Sequence, residues 1–238
     1  MSITCEQVVN NNHIKEDLLE SHVINFYRET TDIDQINVAI KKLDKIPHHI
    51  VVVLGTETPS YRDLANIVVW CVAAGIPYIS FYDHSGLLKR TKSELYHAVV
   101  QASLSTSSWN RTLTGNVLPA AAASKKNGVS APLVHINVLS LSDGRGTLAD
   151  LTRECVTSNV NSMKIAVDFL DEKLKKHLNH APDPEMALCC GRVCSTYGVL
   201  PWQVRNTEFI NIKTHHNIIV VIYIHNIRKY TNTFQVDY

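Results

Sequence analysis

One stretch limits what this chain can fold into more than any other. Ile50 to Leu54 is an unbroken apolar run, mostly β-branched, flanked by Pro47-His-His49 and by Gly55-Thr-Glu57-Thr-Pro59. Such a run is the composition of a strand covered on both faces in a parallel sheet. After the break, Ser60 is placed to cap a helix, with Asp63 at its third position suiting the positive end of the backbone dipole. Leu64, Ile67, Val68 and Cys71 then recur at helical spacing, and Gly75 before Pro77 stops the helix. Tyr78 to Tyr82 reads as a second strand. A crossover of helix length makes the two strands parallel, with a right-handed connection. The predicted class is therefore α/β, a mostly parallel central sheet flanked by helices. The loops leaving the carboxyl ends of its strands, Gly55-Thr-Glu57-Thr and Asp83-His84-Ser85-Gly86, form the expected ligand crevice.

Composition narrows the function. With 238 residues, 45% of them hydrophobic and 19% charged, the chain has core enough for one α/β domain. A net charge of +1 does not suggest a nucleic-acid surface. The six cysteines, at 5, 71, 155, 189, 190 and 194, lack the dense spacing of a secreted disulfide scaffold and read as reduced thiols. Cys189, Cys190 and Cys194 near His180 invite a zinc reading. However, adjacent strand residues point to opposite faces and no Cys-x2-Cys knuckle occurs, so no metal is assigned. The N-terminus lacks a signal-peptide core, and no apolar run approaches the length of a spanning helix; the expectation is a chain without its own anchor.

The segment Pro47 to Arg90 resembles the cis-prenyltransferase family, and most closely the accessory (Nogo-B receptor type) subunits of eukaryotic dehydrodolichyl diphosphate synthase. Catalytic members end the first strand with Pro-x-His-(x)5-Asp-Gly-Asn, whose aspartate holds the Mg2+ that bridges to the allylic diphosphate. Pro47 and His49 match, but Gly55 stands at the aspartate position. Glycine has no side-chain oxygen for a hard cation, so the resemblance implies a partner subunit and not a self-sufficient enzyme. After the second strand the catalytic pattern is Tyr-Ala-Phe-Ser-x-Glu-Asn-Trp-x-Arg. Here only Tyr82, Ser85 and a final basic residue carry over, while Tyr78 through Arg90 follows the accessory pattern throughout. Asp83 beside His84 could form an acid–base pair, but neighbours in a loop seldom face each other, and a loop role is the reading.

Elsewhere the chain reads as scaffold. Residues 1–46 form a polar N-terminal arm with helices at about His13 to Arg28 and Asp32 to Leu43, the second burying Ile33, Ile36, Ile40 and Leu43 and leaving Lys41, Lys42 and Lys45 in water. A helix over about Ser93 to Leu104 leads into residues 105–131, a stretch rich in small and polar residues expected to be a mobile insertion, its Asn110-Arg-Thr112 sequon idle. Leu133 to Leu139 is a third strand, with Val134, Ile136 and Val138 on its better-buried face. Asp143-Gly144 makes a turn, and helices follow at about Thr147 to Thr157 and Ser162 to Leu178.

The second long match runs from Pro182 to Phe209. A strand at Met186 to Cys190 leads into Cys190-Gly191-Arg192-Val193, where catalytic members have an Arg-Thr-Ser-Gly that binds isopentenyl diphosphate. One guanidinium remains where several charge-assisted contacts are called for. The accessory-type Leu200-Pro201-Trp202, Arg205 and Thr207-Glu208 are kept. In the family this part of the fold makes the dimer contact, so Leu200, Pro201, Trp202, Arg205 and Glu208 are the expected partner interface. The alternative is a core tryptophan with an ordinary surface ion pair. From Ile218 the resemblance fails: Ile218 to Ile224 reads as a strand in a divergent tail, 218–238, without the family's Arg-x-Gly.

The domain of the family then spans residues 47–217. The implied function is the non-catalytic subunit of a heteromeric cis-prenyltransferase that condenses isopentenyl diphosphate onto farnesyl diphosphate for dolichol synthesis and protein glycosylation. Mg2+ would sit in the catalytic partner, at the cytosolic face of the endoplasmic reticulum membrane. Two rivals stand beside it: a homomeric cis-prenyltransferase in which Glu57 or Asp83 replaces the missing carboxylate, and a pure binding or receptor-type adaptor.

Overall fold

The computed structural model describes residues 31–105, 134–157, 167–178 and 180–233. The expected helix at His13 to Arg28, the insertion and its sequon lie outside the described residues. Five strands form one sheet in the order β3-β2-β1-β4-β5, with β1 His49–Val53, β2 Tyr78–Tyr82, β3 His135–Leu139, β4 Met186–Cys190 and β5 Glu208–Ile212. Every pairing is parallel. The chain builds outward from β1 through β2 to β3, then returns to the other side of β1 for β4 and β5. The strand order therefore reverses between β1 and β4, which is where an open α/β sheet offers a crevice.

The helices are α1 Asp32–Ile40, α2 Tyr61–Ala74, the single turn α3 Leu87–Arg90, α4 Lys92–Ser105, α5 Arg145–Thr157, α6 Val167–His177 and α7 Val220–Thr233. All five β1 residues are buried and alternate between two cores, because successive side chains of a strand point to opposite faces. Ile50 and Val52 join Leu64, Ile67, Val68, Phe81 and Tyr223 in the larger core. Val51 and Val53 meet Tyr82, Leu178, Val199 and Leu200 in the smaller one. Gly75, at φ +76°, ends α2 by donating its N–H back to the carbonyls of Cys71 and Val72, the left-handed cap expected of glycine there.

His49 is fully buried in β1 and belongs to the scaffold. Its Nδ1–H donates to the Pro182 carbonyl at 2.6 Å, and its Nε2 accepts from Ser80 Oγ at 2.7 Å. Burial lowers its pKa to about 4, so the ring is held neutral.

Three expectations need correction. Ile218 to Ile224 is not a strand: Val220–Thr233 is a helix that buries Val220, Tyr223, Ile224, Ile227 and Tyr230. The seven-residue window held too few turns to reveal the period, whereas the run to Thr233 spaces its buried positions by three and four. Tyr223 packs on Trp70 at 5.5 Å between ring centroids and donates to Cys71 Sγ, which docks α7 on α2. In β3 the expected alternation fails, since Asn137 is as buried as Val138 and its amide is turned toward Ser80 Oγ. Finally β5, Glu208-Phe-Ile-Asn-Ile, is an edge strand that the sequence reading passed over.

Candidate functional site

The reversal between β1 and β4 brings Gly55 against the carboxyl end of β4. Gly55 has φ +63°, and a Cβ added to it would lie 3.0 Å from the Cys190 carbonyl oxygen and 3.2 Å from Tyr197 Cε2. A side chain here meets backbone on one side and an aromatic ring on the other, in a left-handed conformation that itself costs about 1–3 kcal/mol. The loop that supplies Tyr197 is strained as well: Tyr197 and Leu200 have φ of 48° and 36°, with Gly198 between them at 80°. Tyr82 Oη holds this loop down by donating to the Tyr197 carbonyl at 2.6 Å. Burial first, then the nearby charges of Asp143 and Asp83, push the Tyr82 phenol upward, so it stays a donor.

Glu57, two residues beyond Gly55, is committed to His215. Ser60 N–H donates to His215 Nε2 at 3.0 Å, so the neutral ring must carry its proton on Nδ1, which donates to Glu57 Oε2 at 2.5 Å. The backbone N–H of His215 donates to the same carboxylate oxygen at 3.1 Å. Burial lowers the His215 pKa against the pull of Glu57. Cys190 stands beside this pair, and one ligand atom from each of the three residues falls within 4.8 Å of the others. The grouping suits a borderline metal by residue type. Its hydrogen bonds do not: both imidazole nitrogens are occupied, and burial followed by the charge of Glu57 raises the Cys190 thiol, which stays protonated. The cluster is better described as a bracket joining the loops after β1 and β5. Asp63 strengthens it by accepting from Ser60 Oγ and from Asn217 N–H.

Asp83 does not pair with His84. Its carboxylate turns inward and accepts from Ser85 N–H at 2.9 Å, from Ser85 Oγ and from Leu88 N–H at 2.9 Å, fixing the start of α3. His84 is exposed and its Nδ1 lies 3.3 Å from the Tyr197 carbonyl. Mg2+ wants several oxygen ligands in near-octahedral array. With no side chain at Gly55 and both neighbouring carboxylates engaged, the residues at the end of β1 do not fit that ion.

The expected interface residues fall into two groups. Leu200 is 1% exposed and belongs to the smaller core, so its side chain is an anchor and not a contact surface. Pro201 and Arg205 are exposed, Trp202 and Glu208 half-buried. Trp202 Nε1–H donates to Asp171 Oδ1 at 3.3 Å, and the Arg205 guanidinium lies 5.4 Å from the Trp202 ring centroid. Asp171 also pairs with Lys175 at 2.7 Å. Together they form an amphipathic surface that joins the β4–β5 loop to α6. Glu208 begins the edge strand β5, opposite Met186. Among the cysteines, Cys71, Cys189 and Cys190 are buried, Cys194 is exposed, and all four are free thiols.

Comparison with known proteins adds what geometry alone does not. The chain is 31% identical over 204 residues to the dehydrodolichyl diphosphate synthase complex subunit Nus1 of Mus musculus, covering 80% of this chain and 65% of that protein. It is also 31% identical over 199 residues to the Homo sapiens subunit NUS1, covering 80% and 66%. The chain is a homologue of the Nus1 subunits. It spans just under two thirds of the length of these two relatives. No family model matches it. A solved structure of a probable undecaprenyl diphosphate synthase from Campylobacter jejuni aligns at a TM-score of 0.47 and 13% identity, over 80% of this chain and 97% of that one, too loosely to carry an argument. Among the described residues, no helix of this Nus1 homologue is long and apolar enough to cross a membrane. Gly55, read from the sequence as the position of a lost ligand, lies close against the Cys190 carbonyl and the Tyr197 ring. Glu57 and His215 were the pair that sequence reasoning missed. They are 158 residues apart, and no local spacing signals a bond between them.

Proposed function

We propose that the chain is the non-catalytic subunit of a heteromeric cis-prenyltransferase, a dehydrodolichyl diphosphate synthase complex. In it a catalytic partner condenses isopentenyl diphosphate onto farnesyl diphosphate for dolichol synthesis and protein glycosylation. The observation that carries this reading is the junction at Gly55: the strand end that should offer a carboxylate to Mg2+ carries no side chain, and its left-handed backbone and the close Cys190 carbonyl and Tyr197 ring penalise adding one. Similarity to Nus1 subunits supports membership of the complex. Mg2+ and the reacting diphosphates would then be held by the partner, at the cytosolic face of the endoplasmic reticulum membrane.

The partner contact we assign to Pro201, Trp202, Arg205 and Glu208, with Leu200 fixing the segment from beneath. A half-buried tryptophan stacked on an arginine is the kind of pair that most often dominates an interface. A homomeric enzyme would need Glu57 or Asp83 as a metal ligand, and each is already bound to protein donors.

Co-expression with a catalytic cis-prenyltransferase subunit tests the reading. The two chains should copurify, and the complex should incorporate labelled isopentenyl diphosphate faster than the catalytic subunit alone. Copurification with no gain in rate would favour the adaptor instead.

A further inference from the structure

We propose that the cavity at the amino ends of β1, β4 and β5 binds a small zwitterion, an α-amino acid, through Asp183 and Arg205. It lies at the opposite end of the strands from Gly55. The cavity measures about 280 Å3, and its lining includes Lys45, Asp183, Glu185, Gln203, Arg205 and Tyr230. Two of these side chains are permanent cations and two are carboxylates, but they are not equally engaged.

Lys45 and Glu185 are committed to each other and to the scaffold. Lys45 Nζ lies 3.4 Å from Glu185 Oε1 and 5.4 Å from the Tyr230 ring centroid, while Glu185 Oε2 accepts from His48 N–H. Asp183 and Arg205 line the same space unpaired: no ion pair joins Arg205 to Asp183 or to any other acid among the described residues. The Arg205 guanidinium rests 5.4 Å from the Trp202 ring centroid, a face contact that leaves its N–H fork for a ligand. Asp183 Oδ1 is buried and accepts no hydrogen bond. Burial, then the charge of Asp171, raises this carboxyl, as befits an anion short of donors.

The segment that carries Asp183 is fixed in advance. Pro182 and Pro184 flank it, the Pro182 carbonyl accepting from His49 Nδ1–H and the Pro184 carbonyl from Thr207 Oγ at 2.6 Å. Such a carboxylate loses little freedom on binding. A simple anion would leave Asp183 unmet, and a simple cation would leave Arg205 unmet. A zwitterion serves both, its ammonium donating to Asp183 and its carboxylate accepting the planar fork of Arg205. Gln203, 4% exposed, adds an amide to the wall. Small-molecule sites start at about 300 Å3, so a cavity just below that suits a ligand of amino-acid size.

Arg205 also belongs to the partner contact assigned above, so the test uses the full chain by itself. The standard α-amino acids are titrated into it singly by calorimetry at low salt. At least one should bind saturably. Its decarboxylated amine and its N-acetyl derivative should each bind weaker by roughly tenfold or more, since each keeps only one of the two charges. Arg205→Gln and Asp183→Asn should weaken the parent amino acid by a similar factor, with thermal melts establishing that both variants fold. The two analogues are tested on the unaltered chain, so the result does not depend on the variants. No saturable binding of any amino acid, an analogue that binds as tightly as its parent, or binding that both variants leave unchanged overturns the proposal. No catalytic subunit is present, so failure here is distinguishable from failure of the heteromer.

Discussion

Gly144 approaches Gly198 so closely that a Cβ on Gly144 would come within 2.2 Å of the Gly198 carbonyl oxygen. This contact seats the strained loop after β4 on the turn after β3. The first prediction follows from it. Gly144→Ala forces backbone to move, at a cost near the upper end of overpacking penalties, about 3 kcal/mol. The thermal midpoint should fall by about 10 °C. A melt within a degree or two of wild type would show that the loop is not held at this point.

Acid should destabilise the fold through its buried imidazoles. The His49 pKa is lowered to about 4 in the fold, against the 6.5 of a free imidazole. The unfolded chain therefore binds more protons between these values, and stability rises with pH across that window. The contribution of His49 is complete above about pH 6.5 and is lost as pH falls toward 4, a change of about 3 kcal/mol. His215, also lowered, adds in the same direction. Urea unfolding at pH 7, 5.5 and 4.5 measures the slope, and a flat profile would mean these rings protonate freely in the folded state.

The register of α7 can be read by substitution. Tyr223 is fully buried against Trp70, whereas Ile222 is 38% exposed. Tyr223→Ala should cost about 3–5 kcal/mol, as large-to-small changes of buried aromatics do. Ile222→Ala should cost well under half of that. Equal losses at the two sites would fit an extended segment better than this helix.

How far residues disclose structure is seen in these same elements. The β1–α2–β2 unit was legible because each signal was local: a β-branched run, a glycine that must go left-handed, a second run at crossover distance. The tail misled for the same reason, since Ile218 to Ile224 favours a strand locally while Tyr223, Ile227 and Tyr230 gain more by joining the larger core as one face of a helix. β5 escaped notice because an edge strand of five residues with Asn211 exposed carries little pattern. At the candidate site, the absence at Gly55 was visible in one residue. The reason a larger residue would be crowded there involves Cys190 and Tyr197, which only the fold brings to it.

Trp202→Ala and Arg205→Ala should each weaken copurification with a catalytic cis-prenyltransferase subunit, by tenfold or more if they act as interface hot spots. Both should leave the thermal midpoint of the isolated chain within about 3 °C, because the Trp202–Asp171 bond and the stacking pair are surface contacts. A large loss of stability with unchanged copurification would assign these residues to the scaffold.

The central claim is that the end of β1 holds no metal–diphosphate centre. It is tested most directly by incubating the purified chain alone with Mg2+, farnesyl diphosphate and labelled isopentenyl diphosphate. The account predicts incorporation indistinguishable from a protein-free blank. Extended, Mg2+-dependent product from the isolated chain would contradict it.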